Sequence, residues 1–320
     1  MTTPHQDKSG APGIRQKMIW QSQAALFKGG TFILALIPTR FIPTIGSAVG
    51  GLCYRILGSR RRIALDGITG SLPCFPPGSD PVRIARECFS GLGRAFLENC
   101  KLYHGFGSIL DNVTIDGLEN YQAAKAKGKG VMFITGHCGN WEIMALAFGH
   151  RHDPFVVMVR EQKNPYLTRC IEEMRTRYGN TLIYKKNALR EMFRIFKKNG
   201  VTGVLIDQAV MPTEGYQVEF LGRPAWTTSM PVLMSRKTGV PLVPGFIFSD
   251  GKNQRMIIYP EVTFPDDEMT DEALARDTAT ITRYVDDFVR SHPEQWYWLH
   301  RRWKSRQEGT DGVTSERAKR

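Results

Sequence analysis

Residues 130–160 read GVMFITGHCGNWEIMALAFGHRHDPFVVMVR. The uncharged run GVMFITG is short and apolar, which is the pattern of a buried strand. A glycine turn follows at Gly139, then NWEIMALAFGHR reads as a helix and FVVMVR as a second strand. The same alternation continues in both directions. Upstream, VTIDG (113–117) reads as a strand and LENYQAAKAKG (118–128) as a helix closed by glycine. Downstream come NPYLTRCIEEMRTRYG, TLIY, ALREMFRIFKKNG and VTGVLID, alternating helix and strand. VPLVPGFIF and RMIIYPEVTF read as later strands, and a last helix covers about 271–291. Short apolar strands alternating with helices predict an α/β fold, a mixed central sheet flanked by helices on both faces.

Residues 14–62 have a different character. GGTFILALIPTRFIPTIGSAVGGLCYRILGSRRR (29–62) holds two uncharged runs split by Arg40, with Pro38 and Pro43 on either side. Neither run reaches the roughly 20 apolar residues that a spanning helix requires. Proline would also break the backbone bonds of such a helix. The segment therefore predicts helices lying in a membrane interface, closed by the basic cluster Arg60, Arg61 and Arg62. Residues 71–81 form a proline-rich break, and VRIARECFSGLGRAFLENCKLY (82–103) has helical amphipathic spacing. The expected organisation is a disordered lead (1–13), a membrane-associated helical segment (14–62), an α/β domain (63–304) and a disordered tail (305–320).

Composition narrows the partners. The chain of 320 residues carries a formal net charge of +12, which attracts polyanions: anionic lipid, nucleic acid or an acidic protein. Six cysteines occur without a CxxC pair or a zinc-like spacing, so a reduced, cytosol-facing location is expected. His104, His150, His152, His292 and His300 do not fall at ligand spacing, and no metal or other cofactor is expected.

The chemistry concentrates in ITGHCGNWE (134–142). A buried strand delivers His137 to the rim of the sheet, where α/β proteins bind ligands. A glycine turn leads into a helix whose first turn holds Glu142. A carboxylate folded back on one ring nitrogen fixes the tautomer and makes the other nitrogen a better base, suited to taking a proton from an alcohol. The competing reading makes Glu142 a first-turn acid favoured by the helix dipole. Cys138 beside His137 is expected to be packing rather than a nucleophile, because adjacent side chains point apart.

GHCGNWE resembles the HxxxxD/E motif of the glycerolipid acyltransferase superfamily, and more narrowly that of the bacterial lipid A late acyltransferases, the lauroyl and myristoyl transferases. Further blocks match in order: SRRRIAL, VMVREQKNPYL, VLIDQ, VEFLGRPAWT, GVPLVPGF and WYWLHRRWK, together covering roughly residues 20–304. The resemblance implies an O-acyltransferase without a covalent acyl-enzyme. His137 and Glu142 would be its catalytic dyad. Arg160, Gly139, Asn140, Asn164, Asp207 and Gln208 would be its substrate-binding or oxyanion residues. It implies acyl carrier protein, or acyl-CoA, as donor and a lipid A precursor as acceptor. Location on the cytoplasmic face of the inner membrane and no nucleic-acid partner are implied too. Another acceptor remains open: a lysophospholipid, an ornithine lipid or a mannosylated phosphatidylinositol. So does a non-catalytic basic membrane-binding protein. Departures fall at DGITGSLP, at Cys138 and at MPTEGYQ. QWYWLHRRWK (295–304) interleaves aromatic and basic residues and is expected to contact lipid.

Overall fold

The computed structural model describes residues 13–159, 163–184, 188–250 and 253–303. Its element order begins with four helices: α1 (Ile14–Ala35), α2 (Ile42–Ile56), α3 (Gly58–Thr69) and α4 (Pro81–Tyr103). Then follow β1 (Val113–Asp116), α5 (Leu118–Lys125), β2 (Val131–Thr135), α6 (Trp141–Arg151), β3 (Phe155–Val159), α7 (Pro165–Thr176), β4 (Thr181–Tyr184), α8 (Ala188–Lys197) and β5 (Val201–Leu205). The chain closes with β6 (Gly215–Phe220), β7 (Arg223–Thr228), α9 (Met230–Thr238), β8 (Leu242–Ser249), β9 (Gln254–Ile258) and α10 (Asp271–Ser291). Seven strands form one sheet in the order β1-β9-β8-β2-β5-β3-β4. All neighbours run parallel except the antiparallel pair β8–β9, so the sheet is mixed.

Every residue of β2 is buried. Side chains alternate across a strand, and β2 supplies both cores accordingly. Met132 and Ile134 join a cluster with Met192 and Phe196 of α8, Val232 of α9 and Ile281 and Val285 of α10. Val131 and Phe133 join the opposite cluster with Tyr121 of α5, Ile143 and Phe148 of α6, and Leu97 of α4. This two-sided burial is why the strand reads as an uninterrupted apolar run.

The N-terminal runs are helices, and Pro38 with Arg40 marks a bend of 94° between α1 and the 39–56 stretch. Among the described residues no single helix is long and apolar enough to cross a membrane. The two helices are seated on the α/β body. Asn164 caps α7 and its amide also donates to Trp20 O and Gln23 Oε1 of α1. Lys101 of α4 donates to Ala35 O at the end of α1. Glycines bring α2 against α4: a Cβ on Gly50 would lie 2.0 Å from Phe89 O, and one on Gly93 2.1 Å from Gly46 O. The outer face stays apolar and open, with Ile14, Leu26, Ile33, Leu36, Leu52 and Ile56 exposed.

VEFLGRPAWT, quoted above only as a family-like block, forms the β6–β7 hairpin. The late run RMIIYPEVTF is a strand only to Ile258. The expected lead (1–13) lies outside the described residues except for Gly13, and the expected tail (305–320) lies wholly outside them.

Overpacking a tight contact costs about 1–3 kcal/mol. Gly50→Val is therefore expected to lower the thermal midpoint of the full chain and to speed proteolytic cutting between α2 and α3. An unchanged midpoint and cutting rate would show that α2 is not held to α4 by this close approach.

Candidate active site

Strand register builds the site. β2 and β5 are parallel neighbours with Val131 opposite Val201 and Thr135 opposite Leu205. Two residues past each strand end lie His137 and Asp207. They meet there: the His137 N–H donates to Asp207 Oδ2 and its Nδ1–H to Oδ1, both at 2.8 Å. Trp296 Nε1–H donates to Oδ2 at 2.8 Å as well. With Nδ1 carrying the proton, Nε2 is the free acceptor. The Gln208 amide donates to it at 3.3 Å.

The loop that carries His137 is pinned by the chain's end. Tyr297 N–H donates to His137 O (2.9 Å), Gly139 N–H donates to Gln295 O (2.7 Å), and Cys138 bridges Trp296. Gly139 has a φ of 53°, and a Cβ there would lie 2.4 Å from Ile247 O. Only glycine suits both conditions. The imidazole lies among Trp141 (5.0 Å between ring centroids), Tyr297 (6.1 Å) and His300 (6.4 Å).

Electrostatics follow from this packing. Asp207 is 1% exposed. Burial alone would raise its carboxyl, but the His137 charge and hydrogen bonds outweigh burial and hold it far below the usual range. For His137, burial opposes the imidazolium. The Asp207 charge and hydrogen bond, aided by the Glu142 charge, prevail and raise the ring above its ordinary value. Cys138 is pushed well up by burial and by the Asp207 charge, so its thiol stays neutral.

Glu142 departs from the expected geometry. It sits in the first turn of α6 and is gripped by Arg175 of α7, with Arg175 Nε donating to Oε2 at 2.9 Å and Nη2 to Oε1. It reaches His137 through its charge, while the contact with Nδ1 belongs to Asp207. Asn140 caps α6, accepting from Ile143 N–H, and donates to Glu98. Asn164 is the cap of α7. The Gly139 amide is taken by Gln295. Arg160 lies outside the described residues. Thus His137, Asp207 and Gln208 are brought together, whereas Asn140 and Asn164 support the helices around them.

Three residues of the C-terminal segment depart from expectation. Trp296 and Trp298, read above as lipid-facing, are each 1% exposed and belong to the core. His300, set aside in the sequence only as lying away from metal-ligand spacing, stacks on Tyr297 next to His137. A cleft of about 20 Å³ at His137, lined by Arg94, Glu98, Trp141 and Tyr297, has room for about one water. A larger, mainly apolar cavity of about 540 Å³ is lined by Val210, two residues past Gln208, and by Met158, Leu189, Phe193, Met230 and Leu233.

The family model for bacterial lipid A biosynthesis acyltransferases matches residues 13–305. The chain belongs to this family. It is an acyltransferase, and the family's work requires an acyl donor and a lipid acceptor. Within the family it is similar to the lipid A biosynthesis lauroyltransferase of Escherichia coli, with 26% identity covering 88% of this chain and 91% of that one. It is also similar to the lipid A biosynthesis myristoyltransferase of Escherichia coli, at 27% identity over 86% and 85%. A phosphatidylinositol mannoside acyltransferase of Mycobacterium tuberculosis matches at 23% identity over 71% and 72%.

In an NMR pH titration of the full chain, the His137 ring is expected to titrate above about 6.5, the ordinary value for imidazole. Its stabilising contribution is then full below the unfolded value and fades as pH rises through the raised one. Asp207→Asn removes the compensating charge and leaves burial, so the midpoint should drop. A wild-type midpoint at or below 6.5 would contradict this account of the pair.

Proposed function

We propose that this acyltransferase moves a fatty acyl chain from the thioester of an acyl carrier protein to a hydroxyl of a lipid A precursor, with His137 as general base. The observation that carries the reading is the His137 ring held by buried Asp207 at the sheet rim, with Nε2 facing Gln208 and an apolar cavity beginning nearby.

Nε2 takes the proton of the acceptor hydroxyl as its oxygen attacks the thioester carbon. The tetrahedral intermediate collapses, the C–S bond breaks, and the thiolate recovers the proton from the imidazolium. The products are an ester and a free thiol. Asp207 orients the ring and stabilises the imidazolium. Glu142, set by Arg175, adds negative potential to the same end. Gln208 positions the hydroxyl. Arg160, directly after β3 in sequence, is the residue we assign to an oxyanion or phosphate, for which a guanidinium fork is suited. The neutral, buried Cys138 thiol gives no support to a covalent mechanism. The 540 Å³ cavity accommodates the chain.

A second reading shares this chemistry and differs in acceptor. The mycobacterial relatives, named as phosphatidylinositol mannoside acyltransferases, favour a mannosylated phosphatidylinositol. Labelled thioester donor and extracted lipids test both, with mass spectrometry naming the acceptor. His137→Ala is expected to lose about 10²–10⁴-fold in transfer, and Asp207→Asn a loss of similar order. Glu142→Ala should lose at least about tenfold, because it removes a supporting charge and frees that of Arg175. The base must be neutral, so the wild-type rate should rise with pH through the raised His137 value. Transfer at the wild-type rate by His137→Ala would remove the mechanism.

We also propose that the α1–α2 face lies in the membrane interface, as its exposed apolar residues and the arginines at 60–62 suggest. The double variant Leu26→Asp, Ile33→Asp is expected to stay folded and to sediment several-fold less with anionic vesicles. Undiminished sedimentation would rule out this face as the anchor.

A further inference from the structure

His300, whose ring centre lies 6.4 Å from that of His137, also lines a second pocket, of about 330 Å³. α3 supplies Arg62 and Asp66, the start of β7 supplies Arg223, and the chain's end supplies His300, Arg301 and Arg302. Four guanidiniums thus face one carboxylate, that of Asp66. None of the four has a carboxylate within ion-pair distance among the described residues.

Two of these cations are deliberately placed. Arg302 is 1% exposed, and its terminal nitrogens donate to Trp226 O and Thr227 Oγ1. Arg223 donates to Gly67 O and Ser71 Oγ at 2.8 Å, and its guanidinium lies 3.4 Å from the Trp303 ring centre. Both keep a buried Nε–H without a partner, and the His300 Nε2 atom is likewise unpartnered, among the described residues. Burial lowers Arg302 to about 10 and His300 to about 4, so His300 is a neutral wall. The Asp207 charge offsets part of the cost of burying Arg302, but no carboxylate pairs with it directly, and such a buried cation is costly. Planar guanidinium forks match phosphate oxygens.

From these cations, these orphaned donors and this room, we infer that the pocket binds a phosphoryl group borne by one of the two substrates. The phosphate comes from the head group of the acceptor lipid or from the phosphopantetheine arm of the donor. Either would then sit one imidazole away from His137. The inference rests on His137 as the acyl-transfer site, but binding can be measured without turnover.

The full chain and its His137→Ala variant would be tested with two probes. One is phosphatidylcholine vesicles with and without phosphatidic acid, read by sedimentation. The other is soluble 4′-phosphopantetheine, read by calorimetry. The rim variant Arg62→Gln, Arg301→Gln leaves buried Arg302 in place, and circular dichroism verifies its fold. A distant pair, Lys127→Gln, Lys129→Gln, removes the same charge elsewhere, and Arg60→Gln, Arg61→Gln removes it from the proposed anchor outside the pocket; an equal loss in that anchor pair also counts against the pocket. The rim variant is expected to bind one probe at least about tenfold more weakly, with the distant pair and His137→Ala close to wild type. Loss on phosphatidic acid assigns the pocket to the acceptor, and loss on phosphopantetheine assigns it to the donor. Equal losses in the rim and distant variants, or no loss on either probe, would overturn the proposal. If His137→Ala binds normally but its transfer rate is unchanged, the general-base reading fails and the phosphate pocket stands.

Discussion

A fully buried carboxylate is the constraint around which this site is organised. Asp207 has lost its water, and an ionised group in that position is tolerable only with nearly complete compensation. The compensation comes from three donors on two residues: the His137 backbone, the His137 ring and the Trp296 indole. β2, β5 and the C-terminal segment are therefore joined at a single carboxylate group. Removing any one donor unbalances the others, so the geometry of the ring and the anchoring of the chain's end are one problem. The backbone bonds of Gly139 and Tyr297 to the same segment reinforce that coupling.

Much of this was legible in the sequence, because the strands carry the site. The apolar runs at 131–135 and 201–205 are as long as the strands they form, and both faces of β2 are buried. His137 was placed correctly at a strand end. Its carboxylate partner was sought five residues away because spacing within one segment is what a motif displays. The partner in the structure lies seventy residues away. It is found by register: parallel strands that begin opposite each other at Val131 and Val201 bring positions 137 and 207 together. The resemblance marks Asp207 as a substrate-binding candidate, but apolar runs do not state which strands pair or in what register. Glu142 meanwhile satisfies a neighbouring arginine on α7, which no local pattern reveals.

The hairpin β6–β7 was hidden for a different reason. Its two turn residues are Leu221 and Gly222, with φ of 48° and 72°. Two positive φ values in a two-residue loop ordinarily call for Asn-Gly or Asp-Gly. Leucine gives no such signal. It is held there because its N–H donates to Asp286 of α10 and its side chain is buried. A tertiary contact thus overrides turn chemistry. The C-terminal QWYWLHRRWK was also divided in a way its composition does not show. Trp296, Trp298 and the Arg302 side chain are buried while Arg301 is exposed, so the interleaving does not separate an aromatic face from a basic one.

Under the proposed reading, the two flanks of His137 suit an amphiphile. An apolar cavity opens past Gln208, and a cationic pocket opens past His300. The imidazole between them is screened from the guanidiniums by a neutral ring. That screening has an electrostatic consequence. Cations close to His137 would disfavour its imidazolium and weaken it as a base, opposing what Asp207 and Glu142 provide. His300, kept neutral by burial, spaces the arginines from the reacting nitrogen without adding a charge of its own. A fold can then hold a strongly basic binding site beside a general base, provided the carboxylate partner is buried and the cations are not adjacent to the ring. The arrangement of His137, His300 and Arg302 meets both conditions.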